Sequence, residues 1–280
     1  ITMFSSELWQ KSASGGGGVY PFQIEQSCRF TAASNDSLSR SFGTSSNLAK
    51  FTFSCWIKRS LTHNNGGNTV SQNIIGRGTG FGGGGAAFGF ESDTGTSGGL
   101  NNRDRINWYG LSGAGGGSDT GDDRIAGYYY DTNAWYHLVV RVDTGESAAT
   151  KIRYYVNGVL RERVTTNEPT GNMSRFNTNG DTHYIGALSG ANYDLDAYLA
   201  EVNFADGQSY GPDQFGENFN GVWQPISPTG TTYGTNGFRL DFANSSDLGN
   251  DVSGNSNDWT TVSGTLGTDH KVLDSPTFGD

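Results

Sequence analysis

Residues 135–143 read Trp-Tyr-His-Leu-Val-Val-Arg-Val-Asp, and after a short polar break residues 151–158 read Lys-Ile-Arg-Tyr-Tyr-Val-Asn-Gly. Apolar and polar side chains alternate from Tyr136 to Val142, and β-branched and aromatic residues crowd both halves, so a period of two prevails over a helical one. This predicts two strands. The break Asp143-Thr144-Gly145-Glu146-Ser147 is small and polar, and Asn157-Gly158 is the dipeptide that tolerates the positive φ angles of a type I′ turn. The second strand therefore reverses at Asn157-Gly158, and Val159 to Val164 is expected to run back beside it as a third.

Working outward, the same period recurs. Phe51, Phe53, Cys55 and Ile57 fall on one face of a strand, and Thr52, Ser54, Trp56 and Lys58 on the other. One face is core, and packing under a neighbouring segment is the expectation for Trp56. Ile24–Phe30, Asn73–Gly76, Ala86–Phe90, Arg105–Tyr109 and Gly237–Phe242 read as further strands. Glycine-laden loops separate them at 78–85, 92–99 and 113–121. Gly78-Thr79-Gly80-Phe81-Gly82-Gly83 has the spacing of a dinucleotide loop, but more glycine and another strand follow it in place of a helix N-terminus, so it is set aside.

The chain has 280 residues, 43 glycines, 6 prolines and a formal charge of −10. Sixteen Phe, thirteen Tyr and six Trp exclude a disordered chain, and the glycine content fits an all-β protein with long loops. The acidic balance argues against nucleic acid or an anionic membrane as partner, because either needs a basic face. No apolar run has transmembrane length, and the first residues lack the charged-then-apolar layout of a secretion signal. Cys28 and Cys55 are expected as buried thiols, with a disulfide between them as the alternative if their strands are neighbours. Residues 1–24 read as an N-terminal arm that either frays or docks, with Phe4, Leu8 and Trp9 as the anchors for assembly if it docks, ahead of Gly15 to Gly18, which hold no fixed path by themselves. After residue 210, Pro212, Pro225 and Pro228 punctuate an irregular C-terminal extension, 211–280, that packs on the sandwich or on a neighbour.

The strand Trp135-x-His137 running to Asp143 and the motif Tyr154-x-Val156-Asn157-Gly158 resemble the core hairpin of laminin-G-like domains, with further likeness at Tyr184-Ile185-Gly186-Ala187 and Leu195 to Val202. The resemblance spans about residues 25–210 and implies a two-sheet antiparallel jelly-roll sandwich of the concanavalin-A-like kind. A narrower likeness covers the flanks. Phe4-Ser5-Ser6, Ser54 to Ser60, Ala205 to Gln208, Gly234 to Phe238 and Asp251 to Trp259 resemble segments of tailed-phage virion proteins. That likeness implies a virion structural protein, in a tail fibre, head fibre or capsid decoration, assembled in the host cytoplasm. Its expected partners are other virion proteins, further copies of itself as a homo-oligomer, and host-surface glycan.

Such a fold offers its loops to ligands. Trp108, Tyr109, Asp119, Asp122, Asp123 and Tyr129 combine aromatic faces, which stack on sugar rings, with carboxylates that accept hydroxyl hydrogens. The competing reading packs the aromatics and leaves the aspartates on a solvated loop. The family resemblance raises calcium as the cofactor to consider, with Asp194 and Asp196 near the closing strands and Asp251, Asn255, Asn257 and Asp258 in the tail as oxygen ligands. None has the spacing of a self-contained calcium loop. Asp143, Glu201 and Asp206 are further oxygen donors. Two rivals remain: a carbohydrate-binding module of a secreted bacterial protein, and a glycoside hydrolase, which needs a carboxylate pair such as Asp196 with Glu201. No nucleophile elbow or zinc spacing appears, and a lone strand histidine such as His137 reads as packed and hydrogen-bonded, so no enzyme is expected.

Overall fold

The computed structural model describes residues 20–62, 71–78, 85–91, 104–110, 122–165, 176–189, 193–262 and 266–277. Its strands are β1 Ser27–Phe30, β2 Leu38–Ser41, β3 Lys50–Arg59, β4 Gln72–Arg77, β5 Ala86–Phe90, β6 Ile106–Tyr109, β7 Asp122–Ile125, β8 Tyr136–Asp143 and β9 Ile152–Val156. They continue as β10 Val159–Arg161, β11 Arg163–Thr165, β12 Thr182–Ile185, β13 Ala197–Asp206, β14 Gly216–Phe219, β15 Val222–Pro225, β16 Phe238–Leu240, β17 Thr260–Thr261 and β18 Lys271–Val272. Among the described residues no helix is long and apolar enough to cross a membrane. The anchors Phe4, Leu8 and Trp9 lie outside the described residues.

All pairings are antiparallel and build two large sheets. The first runs β10-β9-β8-β3-β13-β1-β18, with β16 also on β13, and the second runs β11-β7-β6-β5-β4-β12-β2-β17. The hairpin read first in the sequence is there: β8 pairs β9, and β9 reverses into β10 through Asn157 at φ 49 and Gly158 at φ 75. One expectation needs correction. The run Val159 to Val164 is not a single returning strand, because at Glu162 the chain leaves the first sheet and Arg163 begins β11 in the second. The segment after residue 210 adds β16 and β18 to the first sheet and β17 to the second.

The side-chain period places the core between the sheets. Phe51, Phe53, Cys55 and Ile57 of β3 are fully buried, facing Phe88, Trp108 and Ile75 of the second sheet within one apolar cluster. The aromatic rings meet at angles: Phe53 to Phe88 is edge-on with centroids 5.8 Å apart, and Trp108 to Phe176 is edge-on at 5.0 Å, geometries favoured by the ring quadrupoles. Both cysteines are free and buried, and burial raises the pKa of each thiol. Arg59, at the end of β3, crosses the core as an ionic pin. Its side chain has no exposed area, and its guanidinium donates to Asp104 at 2.6 Å and to the Tyr129 carbonyl at 2.7 Å while lying 4.1 Å from the Phe90 centroid.

The other face of β3 is covered as well. Trp56 is 5% exposed and packs with Ile24 and Ala200, flanked by Phe22, Trp135 and Trp223. The β14–β15 hairpin, which the Pro-punctuated sequence gave no reason to expect, brings Trp223 there. A Cβ on Gly158 would come within 2.3 Å of the Trp223 ring, so the turn glycine meets two demands at once, a positive φ and close approach of an indole.

Candidate functional site

The crossing from one sheet to the other shapes an open groove of about 650 Å³ at the side of the sandwich. Its walls are the Ala148–Thr150 turn after β8, the start of β9 at Ile152 and Arg153, and the corner Leu160-Arg161-Glu162-Arg163. That volume lies in the range of small-ligand sites. Strand alternation sets the side chains: Arg161 lies opposite Tyr154, on the side of β9 where Ile152, Tyr154 and Val156 turn inward.

Two carboxylates, one buried and one partly exposed, hold two of the groove's cations. Asp123, fully buried on β7, accepts from Arg163 Nε at 2.9 Å with one oxygen and from the Tyr154 hydroxyl at 3.0 Å with the other. Glu146 accepts from Arg153 at 3.1 Å and also pairs with Arg141. Arg161 has no ion-pair partner among the described residues, and its Nε is buried without a hydrogen-bond acceptor. Burial raises the Tyr129 hydroxyl pKa, and the positive charge of Arg161 pulls it back. Leu160, 56% exposed, adds an apolar rim beside these guanidinium groups. An aliphatic edge next to Arg forks is suited to a ligand with both C–H faces and planar anionic or hydroxyl oxygens.

The residues singled out in the sequence fall into several environments. Trp108 is fully buried in the core, so it presents no stacking face to a ligand. Tyr109 is partly exposed on β6, away from the groove lining. Asp119 lies outside the described residues, and Asp122 starts β7. Asp123 and Tyr129 do lie beside the site, but beneath it: Asp123 anchors Arg163, and Tyr129, 6% exposed, donates to Ala126 O at 3.3 Å. Tyr128 and Tyr130 point the other way, 46% and 65% exposed.

The calcium candidates of the tail are engaged with other protein groups, whereas Asp194 Oδ1 is buried without a hydrogen-bond partner among the described residues. Asp251 accepts from the amides of Arg239, Ser253 and Asn257 and from the Ser253 hydroxyl, all at 2.8–2.9 Å. Asp258 accepts from the Asp251 amide at 2.8 Å. Asn255 and Asn257 turn their amide nitrogens, not their oxygens, toward the carbonyls of Gly234, Thr235 and Gly237. In the tail the Asp251 carboxylate and the carbonyls of Gly234, Thr235 and Gly237 are thus taken by N–H and O–H donors, and that donor set does not fit calcium. Among the described residues no group of three or more His, Cys, Asp or Glu is arranged for a metal. Asp196 accepts from the Ala32 amide at 3.1 Å. Asp194 sits beside Asp196 and Asp36; burial first, then those charges, lift its pKa to about 6. Asp143 pairs Lys50 at 2.8 Å, and Asp206 accepts from Ser46, Asn177 and Asn236. Glu201, at φ 48 in the bulge of β13, gives both oxygens to Arg239 at 2.8 and 2.9 Å; burial raises its pKa against the pull of that arginine.

His137 is fixed under the hairpin. Trp223 Nε1 can only donate, and it reaches His137 Nδ1 at 3.0 Å, so the ring proton sits on Nε2 and is donated to Ser54 Oγ at 2.9 Å. Burial lowers its pKa to about 3. The adjoining cavity, lined by Ser54, His137, Glu201 and Asn203, has about 10 Å³, room for roughly one water.

The arginines of the groove were not singled out in the sequence. The signal is present as Arg153, Arg161 and Arg163 around the Asn157-Gly158 turn, which brings residues on either side of it together.

Comparison with known proteins gives three findings. The family profile described as concanavalin A-like lectin/glucanases superfamily matches residues 31–208. No curated protein matches the chain in sequence. Among solved structures, a protein from Bacteroides ovatus ATCC 8483, provisionally described as carbohydrate binding, aligns with TM-score 0.58 and 18% identity over 91% of this chain. The chain spans 62% of that protein's length. The heptameric SAP-like pentraxin of Limulus polyphemus aligns at TM-score 0.44 and 14% identity, covering 69% of this chain and 81% of the pentraxin. Tailspike protein 2 of Escherichia coli O157:H7 bacteriophage CAB120 aligns at TM-score 0.42 and 13% identity, covering 66% of this chain and 23% of the tailspike. At these identities the likeness concerns the fold alone.

Proposed function

Because the chain belongs to the concanavalin A-like lectin/glucanase superfamily, we propose that it is a saccharide-binding β-sandwich serving as a structural component of a tailed-phage particle, with host-surface glycan held in the groove at the sheet crossing. One observation carries the binding part: an open groove of about 650 Å³, walled by three arginines, two of them braced from behind by carboxylates. A site whose cations are held in place loses little side-chain freedom when it takes a ligand. The groove favours binding over turnover, since Glu162 is the one carboxylate among the described residues that line it and two-carboxylate glycoside cleavage needs a pair flanking the bond.

The viral part is supported by the sequence likeness of the flanking segments to virion proteins. Three of those segments meet in space. Asp206, Asn236 and Asn257 tie Ala205–Gln208, Gly234–Phe238 and Asp251–Trp259 into one polar clasp beside Phe238 and Trp259. The shared segments thus act as one structural unit rather than as scattered matches.

A glycan array on the isolated chain tests the first part, with binding expected and lost when the groove arginines are replaced. A blank array overturns it. Mass spectrometry of purified particles tests the second, with the chain expected at stoichiometric abundance, and its absence from particles favours a secreted bacterial carbohydrate-binding module.

A further inference from the structure

Resting on the reading of the groove as a saccharide site, we infer that its ligand is an acidic saccharide and that Arg161 is the residue that meets the sugar carboxylate. The three arginines are not equivalent. Arg163 is committed to buried Asp123, and Arg153 shares Glu146 with Arg141. Arg161 alone among them has no carboxylate partner among the described residues, and its half-buried side chain lines the groove. A guanidinium without a counter-charge, partly withdrawn from water, gains most from a planar anion that takes two of its N–H groups in parallel. Tyr129 beneath it is held neutral by burial and supplies no compensating charge.

The surroundings fit a sugar. Leu160, Ala148 and Ala149 form an aliphatic wall for the C–H face of a ring, and Glu162 can accept hydroxyl hydrogens while its charge sits one residue from Arg161. A nucleic acid is disfavoured, because a phosphate chain needs a row of unpaired cations, and among the described residues that line the groove a single one stands on a chain of formal charge −10. A short ligand with an isolated carboxylate suits that arrangement.

The test is calorimetric titration of the whole chain with oligogalacturonate, with the same oligomer fully methyl-esterified, with a neutral glucose oligomer, and with a thymidine oligonucleotide. Oligogalacturonate should bind at least about tenfold more tightly than its ester, the effect of a charge-assisted bidentate contact. Arg161→Gln should lose that factor at an unchanged melting temperature, and Arg161→Lys should recover part of it. Glu162→Gln removes the negative charge next to Arg161 and should widen the ratio of acid to ester affinity, whatever it does to ester binding itself, which keeps the test informative if the Arg161 variants fold poorly; an unchanged ratio counts against the inference. Equal binding of acid and ester, or an Arg161→Gln chain that binds as the parent does, overturns the acidic-ligand inference and leaves the saccharide reading standing. No binding of any saccharide overturns that reading itself. Oligonucleotide binding as tight as oligogalacturonate reassigns the groove to nucleic acid and overturns both.

Discussion

Mild acid should destabilise this protein through two imidazoles that the fold keeps neutral. His137 lies between Trp56, 4.8 Å away by ring centroids, and the indole of Trp223. His183 stacks on Phe42 at 3.7 Å; its Nδ1 faces the Asp181 carbonyl at 3.1 Å, and its Nε2 accepts from the Asn177 amide at 3.4 Å. Burial lowers both pKa values to about 3, with Arg77 and Arg40 adding to the effect at His183. The unfolded chain takes up a proton at each ring below about 6.5, and the folded chain does not until about 3. Stability is therefore complete above pH 6.5 and falls as pH drops toward 3, by about 1.4 kcal/mol per pH unit per histidine. By pH 5 the two together should remove about 4 kcal/mol, a large part of a typical domain's 5–15 kcal/mol. Asp194 acts in the opposite sense between pH 6 and 4, and because it is half-exposed its contribution is smaller than one histidine's. Urea unfolding followed by tryptophan fluorescence at pH 7.5, 6.5, 5.5 and 5.0 measures the slope. His183→Gln keeps a donor and acceptor but cannot titrate, so it should be less stable at pH 7.5 and show about half the parent's pH slope. An unchanged slope in this variant, or flat stability from pH 7.5 to 5, would refute the reasoning.

Other substitutions probe separate features. Asp194→Asn should stabilise by about 1 kcal/mol at pH 7.5, after discounting for exposure, since the ionised carboxylate is disfavoured in the fold; the gain should vanish below pH 4, where both states of the parent are protonated. Asp104→Ala leaves buried Arg59 without its counter-ion and should cost about 3–5 kcal/mol in denaturant melts, whereas replacing both partners by apolar residues should cost less. Gly158→Ala introduces a Cβ at φ 75 and 2.3 Å from the Trp223 ring, so it should cost about 2 kcal/mol or more and red-shift tryptophan emission as the hairpin lifts; unchanged emission would show that Trp223 does not anchor it.

Strand alternation made much of the sandwich readable before any coordinates. The inward set Phe51, Phe53, Cys55 and Ile57 and the Asn157-Gly158 reversal follow from period two and from backbone sterics, both local properties. Short strands carried no such mark. β2, β7 and β14–β15 have too few turns of alternation to stand out, and they form because a neighbouring strand or the Trp56 face needs covering. The split at Glu162 was hidden for the same reason, since Val159 to Val164 alternates whether or not it changes sheets.

Polar residues show where the sequence stopped being informative. Asp251, Asn255 and Asn257 are an oxygen-rich run whether they cage a cation or, as here, accept from backbone N–H groups (Asp251) and donate to backbone carbonyls (Asn255 and Asn257), and the choice depends on Gly234 to Arg239 arriving alongside. Trp108 and Asp123 look like ligand residues on a loop until the second sheet places one in the core and the other under Arg163. Composition and periodicity determined an all-β, acidic, glycine-looped chain with a buried aromatic core, because those depend on each residue's own chemistry and its near neighbours. The tertiary structure alone decided which charges are paired and that Arg161 has no carboxylate partner among the described residues, because an ion pair is settled by partners brought from distant parts of the chain.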